Sequence, residues 1–371
     1  MQVKEIKLYH FRNYQELEFY PHSGVNLFCG RNGSGKTNLL EAIHYCSLGR
    51  SHRVSNDSNV IKNDENNAFS CVLVQNSIGQ RKISIQFRSE MAQKKTIFID
   101  EKKIQRFSDM MGCLRCVIFS PEDLGLVKEG PSFRRRYLDM MISQMNKKYF
   151  VALQRYKAGM DQRNAVIREA RSNSVCNNYV LDVFEQAMSE SAEVIINERR
   201  RVISQLSDIA ERIYQRISDT DEKFRITYHS SIKDNEKISE NLTRLLRENR
   251  EDDMRTGYTS VGPHRDDLSL LLNNNQMKQY ASQGQIRSAA LSMKLSQMEI
   301  ITDFCEDTPI LLLDDVMSEL DRKRRSRLLN EISSFQTYIT CTDRDDIDSE
   351  KINKAWRVAT ENGKAFITEV N

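Results

Sequence analysis

The chain has 371 residues, 39% of them apolar, enough to bury a sizeable core as two domains or as one large domain carrying an insertion. Charged residues make up 29% of the chain but nearly cancel, to +3 at pH 7, so it is no disordered polyelectrolyte, and any affinity for nucleic acid has to come from local patches. The opening stretch MQVKEIKLYHFRNY alternates charged and apolar residues without a hydrophobic run, which argues against a signal peptide or membrane anchor there and predicts a cytoplasmic protein.

Residues 3–9, VKEIKLY, alternate as a strand does, and VNLFCG is a short apolar strand that runs straight into glycine, a strand–loop–helix start. FSCVLVQ, KISIQF and KTIFID, between 69 and 100, are rich in β-branched residues and predict antiparallel strands. The eight cysteines lack metal-ligand spacing apart from the pair Cys113 and Cys116, which reads as two buried thiols entering an apolar strand. After Ser120-Pro121 the character changes. Leu138, Met141, Met145, Tyr149, Leu153, Tyr156 and Met160 recur at helical spacing, as do Val202, Leu206, Ile209, Ile213 and Ile217, and together they predict two long antiparallel helices connected near REARSNSVCNN. FRITYHS reads as a strand, 237–250 as a polar helix, and GPHRDDLSLLL as a turn into a strand; TPILLLDDV and TYITCTD are buried strands. No internal repeat or low-complexity tract occurs, and heptad arms hundreds of residues long are absent.

GRNGSGKT (Gly30, Arg31, Asn32, Gly33, Ser34, Gly35, Lys36, Thr37) matches G-x-x-x-x-G-K-[ST] between a predicted strand and the apolar helix NLLEAIHYC. Glycines let the backbone N–H groups close around phosphates, Lys36 is expected to reach the β- and γ-phosphates, Thr37 to offer its hydroxyl to Mg²⁺, and the helix start favours the anion. PILLLDDV adds an apolar strand ending in Asp314, placed for the Mg²⁺ shell, and Asp315, placed to polarise or position an attacking water.

A P-loop, then Ser-x-Gly-Gln (Ser282, Gly284, Gln285) at the start of an apolar helix (Leu291, Leu295, Met298), then the paired acids, then Ser-x-x-Asp (Ser318 to Asp321), is the motif order of ABC-type ATPases. In that class the signature serine and glycine bind the γ-phosphate of ATP held by a second protomer. FRNYQELEF, GRNGSGKTNLLEAIHYCSLGRSHR, FSPEDLGLVKEGPSFRRRYLD, GPHRDDL, SQGQIR and LLLDDVMSELD together, spanning nearly the whole chain, resemble the RecF family of bacterial recombination and repair ATPases. The resemblance implies an α/β ABC-type P-loop head, a mixed sheet with flanking helices, carrying an inserted α-helical lid or arm. It places the head at 1–120 and 221–371 and the arm at 121–220. It further implies ATP and Mg²⁺ as cofactors, an ATP-dependent homodimer, slow hydrolysis, DNA repair, recombination, replication and SOS-response roles, and action at single-strand gaps and junctions with RecO- and RecR-type partners, away from membranes. Asp321 is expected beside nucleotide on the same grounds.

Three departures from the wider ATPase class bear on turnover. Asp315 stands where most members carry glutamate, Thr342 stands at the switch-histidine position, and FSPEDL occupies the expected Q-loop, leaving Ser120 or Glu122 to couple nucleotide to the lid. Arg53 reads equally as a phosphate contact or a solvated loop residue. Residues 132–174 hold ten Lys/Arg (Arg134, Arg135, Arg136, Lys147, Lys148, Arg155, Lys157, Arg163, Arg168, Arg171) against three acids, a local excess of +7 that leaves −4 for the rest. The excess reads either as a DNA-phosphate surface or as a solvated helix face, and the same two readings apply to RKRRSR, 322–327. An SMC-type chromosome-organising ATPase and a transporter ATPase subunit are the alternatives. The first needs long heptad arms; the second normally keeps the switch histidine.

Overall fold

A computed structural model describes residues 1–54, 56–89, 95–173, 177–233, 237–344 and 349–370. It divides into two compact units: Met1–Leu124 with Arg212–Asp221 and Ser282–Asn371, and Gly125–Glu211 with Glu222–Ala281.

The first unit opens with strands β1 (Gln2–Phe11), β2 (Tyr14–Phe19) and β3 (Val25–Cys29), then helix α1 (Lys36–Leu48). Strands β4 (Asn67–Gln75), β5 (Gln80–Arg88), β6 (Lys95–Ile99) and β7 (Lys102–Lys103) complete an antiparallel sheet in the order β2-β1-β4-β5-β6-β7, as the alternating residues predict. Val72, Val74, Ile83, Ile85 and Phe87 of this sheet share one apolar core with Leu39, Leu40, Ile43 and Tyr45 of α1. Full burial stabilises by about 1.5–3 kcal/mol per large apolar side chain. Strand β8 (Cys116–Phe119) then enters the second sheet.

The second unit holds α2 (Gly125–Lys128), α3 (Pro131–Met145), α4 (Lys147–Asn173) and most of α5 (Asn178–Ser218). The predicted single helix from Leu138 to Met160 is therefore two. Asn146 leaves the helix in an extended conformation and its carboxamide oxygen accepts the N–H groups of Lys148 (2.9 Å) and Tyr149 (3.2 Å), capping α4. The apolar spacing continues across this break, which is why periodicity alone missed it. Helices α4 and α5 run antiparallel, as expected: Tyr149 meets Arg199, Gly159 abuts Met188, and Arg163 meets Glu185. Residues 174–176, within the expected connection, lie outside the described residues. The unit continues with β9 (Phe224–His229), α6 (Ile238–Glu248), α7 (Arg250–Thr256), β10 (Asp267–Leu272), β11 (Asn275–Gln276) and α8 (Met277–Tyr280), the strands forming an antiparallel sheet in the order β11-β10-β9. Residues 222–281 thus fold with the helices, which corrects the expected 121–220 arm boundary: Arg163 of α4 is bonded to α7 and to Thr259 as well as to α5.

The first unit is completed by α9 (Gln283–Cys305), β12 (Ile310–Leu313), α10 (Arg322–Ile332), β13 (Thr337–Cys341) and the hairpin β14 (Lys354–Glu361) and β15 (Lys364–Val370). Its second sheet has the order β15-β14-β3-β13-β12-β8, parallel except for the β14–β15 pair. Leu27, Phe28, Ile310 to Leu313, Tyr338 and Ile339 are buried, the continuous apolar pattern of parallel strands. Because β13 lies between β3 and β12, the loops leaving all three strands emerge side by side at their carboxyl ends, where ligands bind in open α/β sheets. No helix among the described residues is long and apolar enough to cross a membrane.

Candidate nucleotide site

The loop Gly30–Gly35 leaves β3 and runs into α1. Gly33 and Gly35 take φ +81° and +116°, conformations that side-chain-bearing residues rarely adopt, and Gly35 caps α1. The loop's carbonyls are held from behind. Asn13 Nδ2 donates to Ser34 O (3.0 Å), Tyr14 Oη to Gly35 O (3.1 Å) and Thr360 Oγ1 to Ser34 O (3.1 Å). Asn13 is itself placed by Asn38 Nδ2 on its side-chain oxygen (2.8 Å) and by the Ala365 N–H on its carbonyl (2.9 Å). The neighbouring Arg12 reaches the fully buried Glu41 through two bonds, Nε–Oε2 at 2.9 Å and Nη2–Oε1 at 2.8 Å. Burial works against the Glu41 carboxylate, but the Arg12 and Ser51 bonds outweigh it and hold its pKa below the usual value. Asn13 and Tyr14 are thus supports of the loop, and Arg12 of the helix that follows it, that the loop's own motif did not reveal; their signal was the FRNY stretch.

Lys36 is buried and its ammonium donates to Gly30 O (2.7 Å) and Arg31 O (3.1 Å), folding over the mouth of the loop. Ser34 Oγ is buried without a hydrogen-bond partner. A cavity of about 650 Å³ opens beside Gly30–Ser34, lined also by Thr342, Arg344, Arg357 and Thr360. A left-handed glycine cradle, a buried ammonium and an orphaned hydroxyl fit a polyphosphate.

On the other side of β13, Thr37 Oγ1 donates to Asp314 Oδ1 (2.9 Å), joining the loop to the end of β12. Thr340 Oγ1 donates to the same oxygen (2.8 Å) and accepts the Asp315 N–H (2.8 Å). Asp315 sits at φ +52°, so Thr340 secures an aspartate whose backbone is in the left-handed region. Burial pushes the Asp314 pKa up, and the bonds from Thr340 and Thr37 pull it back. The hydroxyl of Thr37 and the carboxylate of Asp314 are hard oxygen donors of the kind Mg²⁺ takes. Sequence reasoning missed Thr340; a buried hydroxyl within the apolar strand TYITC was the available sign. Thr340→Val is expected to raise the Asp314 pKa further by removing one of the bonds that lowers it. With no metal bound, Asp314 then stays protonated to higher pH, which a carboxylate NMR titration of the metal-free protein reads as an upward shift of its midpoint. An unshifted midpoint would separate Thr340 from Asp314.

Ser282 caps α9: its Oγ accepts the Gln285 N–H (3.3 Å) while Gln285 Oε1 accepts the Ser282 N–H (2.8 Å). A Cβ on Gly284 would stand 3.1 Å from an Arg324 guanidinium nitrogen, so the glycine makes room for that cation. Asp321 caps α10 through the Arg324 N–H (2.9 Å) and pairs with the Arg324 side chain (2.9 Å). In FSPEDL, Glu122 is exposed and Ser120 buried, and Asp123 pairs with Lys294 of α9 (2.7 Å), whose ammonium also donates to Ile118 O (2.8 Å). Arg53 donates to Asn38 of α1 (3.2 Å). Cys116 is buried as expected, whereas Cys113 is half-buried and donates to Asp109 O (3.3 Å).

Of the basic residues proposed for DNA, Arg163 is a correction. It is fully buried, bonded to Glu185 (2.9 Å), Asp253 (2.7 Å), Thr259 (2.9 Å) and Leu246 O (3.0 Å), and has no face left for a phosphate. Arg134 is likewise buried, forked onto Asp267 at 2.8 and 2.9 Å, and Arg135 is half-buried against Asp266 O (2.7 Å). Arg136, Lys147, Lys148, Arg155, Lys157, Arg168 and Arg171 are exposed.

A P-loop after β3, paired acids after β12 and a capped, glycine-bearing helix before β12 make this the head fold of the ABC and SMC ATPases. The family model described as the RecF/RecN/SMC N terminal domain matches residues 2–365. The DNA replication and repair protein RecF of Clostridium novyi is 42% identical over 347 residues, covering 94% of each chain; that of Clostridium tetani is 40% identical over 370 residues, covering 99% of this chain and all of the relative. The chain belongs to the RecF family. A solved structure of the recombination mediator protein RecF-ATP in the RecFOR pathway superposes with a TM-score of 0.90 at 34% identity, covering 100% of this chain and 98% of that one. An Smc head domain from Pyrococcus furiosus, at TM-score 0.60 and 16% identity, shares the fold.

Proposed function

We propose that this protein is an ATP-switched DNA-binding protein of recombinational repair, dimerising on ATP and acting at single-strand gaps with RecO- and RecR-type partners. The observation that carries this is the Thr37–Asp314 bond beneath the glycine cradle, which joins the phosphate loop to the acidic strand end in one unit. In this reading the loop N–H groups and the start of α1 receive the phosphates, Lys36 lies along the β- and γ-oxygens, and Thr37 and Asp314 hold Mg²⁺. An ion held by those two residues would supply positive charge to neutralise the phosphate oxygens. Asp315 orients the attacking water; its side chain is one methylene shorter than glutamate, which favours slow turnover. Ser282, Gly284 and Gln285, with Asp321 and Arg324 beside them, complete the site of a second protomer, the helix start receiving the γ-phosphate. Exposed Arg136, Lys147, Lys148, Arg155, Lys157, Arg168 and Arg171 supply phosphate contacts without base readout.

The test measures affinity for gapped duplex DNA with and without ATP, for the native chain and Ser282→Arg. ATP is expected to tighten DNA binding and to drive dimer formation in sedimentation of the native chain only. Ser282→Arg should still bind ATP as a monomer, because Gly30–Thr37 is untouched, yet lose dimerisation and hydrolysis. Mixed with Lys36→Ala chains it should regain partial turnover, since one of the two composite sites is then intact. A Ser282→Arg protein that dimerises and turns over normally would reduce the signature to a helix cap, and DNA affinity indifferent to ATP would sink the switch.

A further inference from the structure

The last residues of β3 and β13, Cys29 and Cys341, are paired in register on neighbouring parallel strands, with their sulfurs 3.2 Å apart. Neighbouring strands lie about 4.7–4.9 Å apart, inside the Cα separation that disulfides span, and a bond requires the sulfurs to close by only about 1 Å. Cys341 is buried, but Cys29 is half-buried and lines the cavity of about 650 Å³ beside the phosphate loop, so a small molecule can reach it there. The thiols differ in chemistry as well as position. Hydrogen bonding to Cys341, with Arg344 and Lys36 nearby, draws the Cys29 pKa below the ordinary thiol value against the opposing effect of burial. Burial lifts Cys71 to about 11, Cys46 and Cys116 to about 12, and Cys305 in the same direction.

We infer that Cys29 and Cys341 form an oxidisable dithiol whose closure by a low-molecular-weight disulfide turns off nucleotide binding at the adjacent loop. The Cys29 thiolate attacks one sulfur of the small disulfide and expels one of its halves as a thiolate, leaving a mixed disulfide. Cys341 gives up its proton and its sulfur attacks Cys29 Sγ, expelling the second half. Two protein thiols lose two electrons and two protons, and the small disulfide leaves as two thiols. The consequence follows from what the pair holds. Gly30, the first residue of the loop, donates its N–H to Cys341 O (3.3 Å), and its carbonyl accepts the Lys36 ammonium (2.7 Å). A Cβ at Gly30 would lie 2.1 Å from Val358 O, so Gly30 is wedged against β14 with no slack. Drawing Cys29 toward Cys341 therefore shifts the residue to which Lys36 is anchored. The regulatory half of the proposal rests on the reading of this loop as the ATP site.

The experiment treats the full-length native protein with oxidised glutathione, without nucleotide, followed by peptide mapping and titration with a fluorescent ATP analogue. A cross-link joining the Cys29 and Cys341 peptides is expected, with an affinity loss of about tenfold or more that dithiothreitol reverses. Cys341→Ala should retain one glutathione on Cys29 and form no cross-link, and Cys29→Ala should do neither. An unmodified Cys29, a cross-link through another cysteine, or a Cys29–Cys341 bond with unchanged affinity would overturn the proposal. A reduced protein that fails to bind the analogue would instead count against the ATP site, and the peptide map decides the cross-link independently of it.

Discussion

Lys36→Ala is expected to lower the affinity for ATP by about two orders of magnitude, measured by titration with a fluorescent analogue, while circular dichroism stays unchanged. The ammonium is buried and already points into the loop mouth, onto Gly30 O and Arg31 O. Alanine removes the cation that polyphosphate would meet there, and bonds to charged groups of this kind are worth about 1.5–3 kcal/mol each. Two such bonds make up the expected loss. The fold should survive, because the loop carbonyls behind are held independently by Asn13, Tyr14 and Thr360. Lys36→Arg keeps the charge but displaces it on a longer, planar group, so binding should persist while hydrolysis fails. Normal affinity in Lys36→Ala would remove the nucleotide site from this loop.

The second large effect concerns Arg163. Arg163→Glu is expected to unfold the unit formed by 125–211 and 222–281, or to destabilise it by more than the roughly 3–5 kcal/mol typical of breaking a buried ion pair from one side. The substitution sets a third carboxylate beside Glu185 and Asp253, both fully buried. Thermal denaturation should show a lost or strongly lowered transition for that unit. Reversing the exposed Arg155 and Lys157 instead should leave the melting profile in place, weaken DNA binding about equally across sequences and flatten its salt dependence, as loss of phosphate contacts does. A stable Arg163→Glu protein would contradict the buried network, and unchanged DNA affinity in the exposed pair would make those residues solvated surface.

By itself the amino-acid sequence determined what is contiguous. The glycine-rich loop at 30–35, the acids at 314 and 315, the helix start at 282 and the strands β1, β3, β4, β5, β6, β8, β9, β10, β12 and β13 were legible because each depends on spacing within a few residues. The C-terminal hairpin β14–β15 drew no expectation, although Thr360 within it secures the loop. Tertiary structure alone decided what those pieces meet. Sheet order put β13 between β3 and β12, so that Thr340 bridges Asp314 and Asp315 and Cys341 faces Cys29, pairings 26, 25 and 312 residues apart along the chain. It also divided the basic residues of the helical segment into exposed and buried ones. Tyr149, Ala152, Tyr156, Arg163, Ile167 and Ala170 form one buried stripe at helical spacing, and Arg163 belongs to it. Counting charge could not distinguish that arginine from Arg168, five residues on and exposed. The difference is which face of α4 the buried carboxylates Glu185 and Asp253 occupy. A helix records its apolar face in its own spacing, but an ion pair is recorded in two distant segments that only folding brings together.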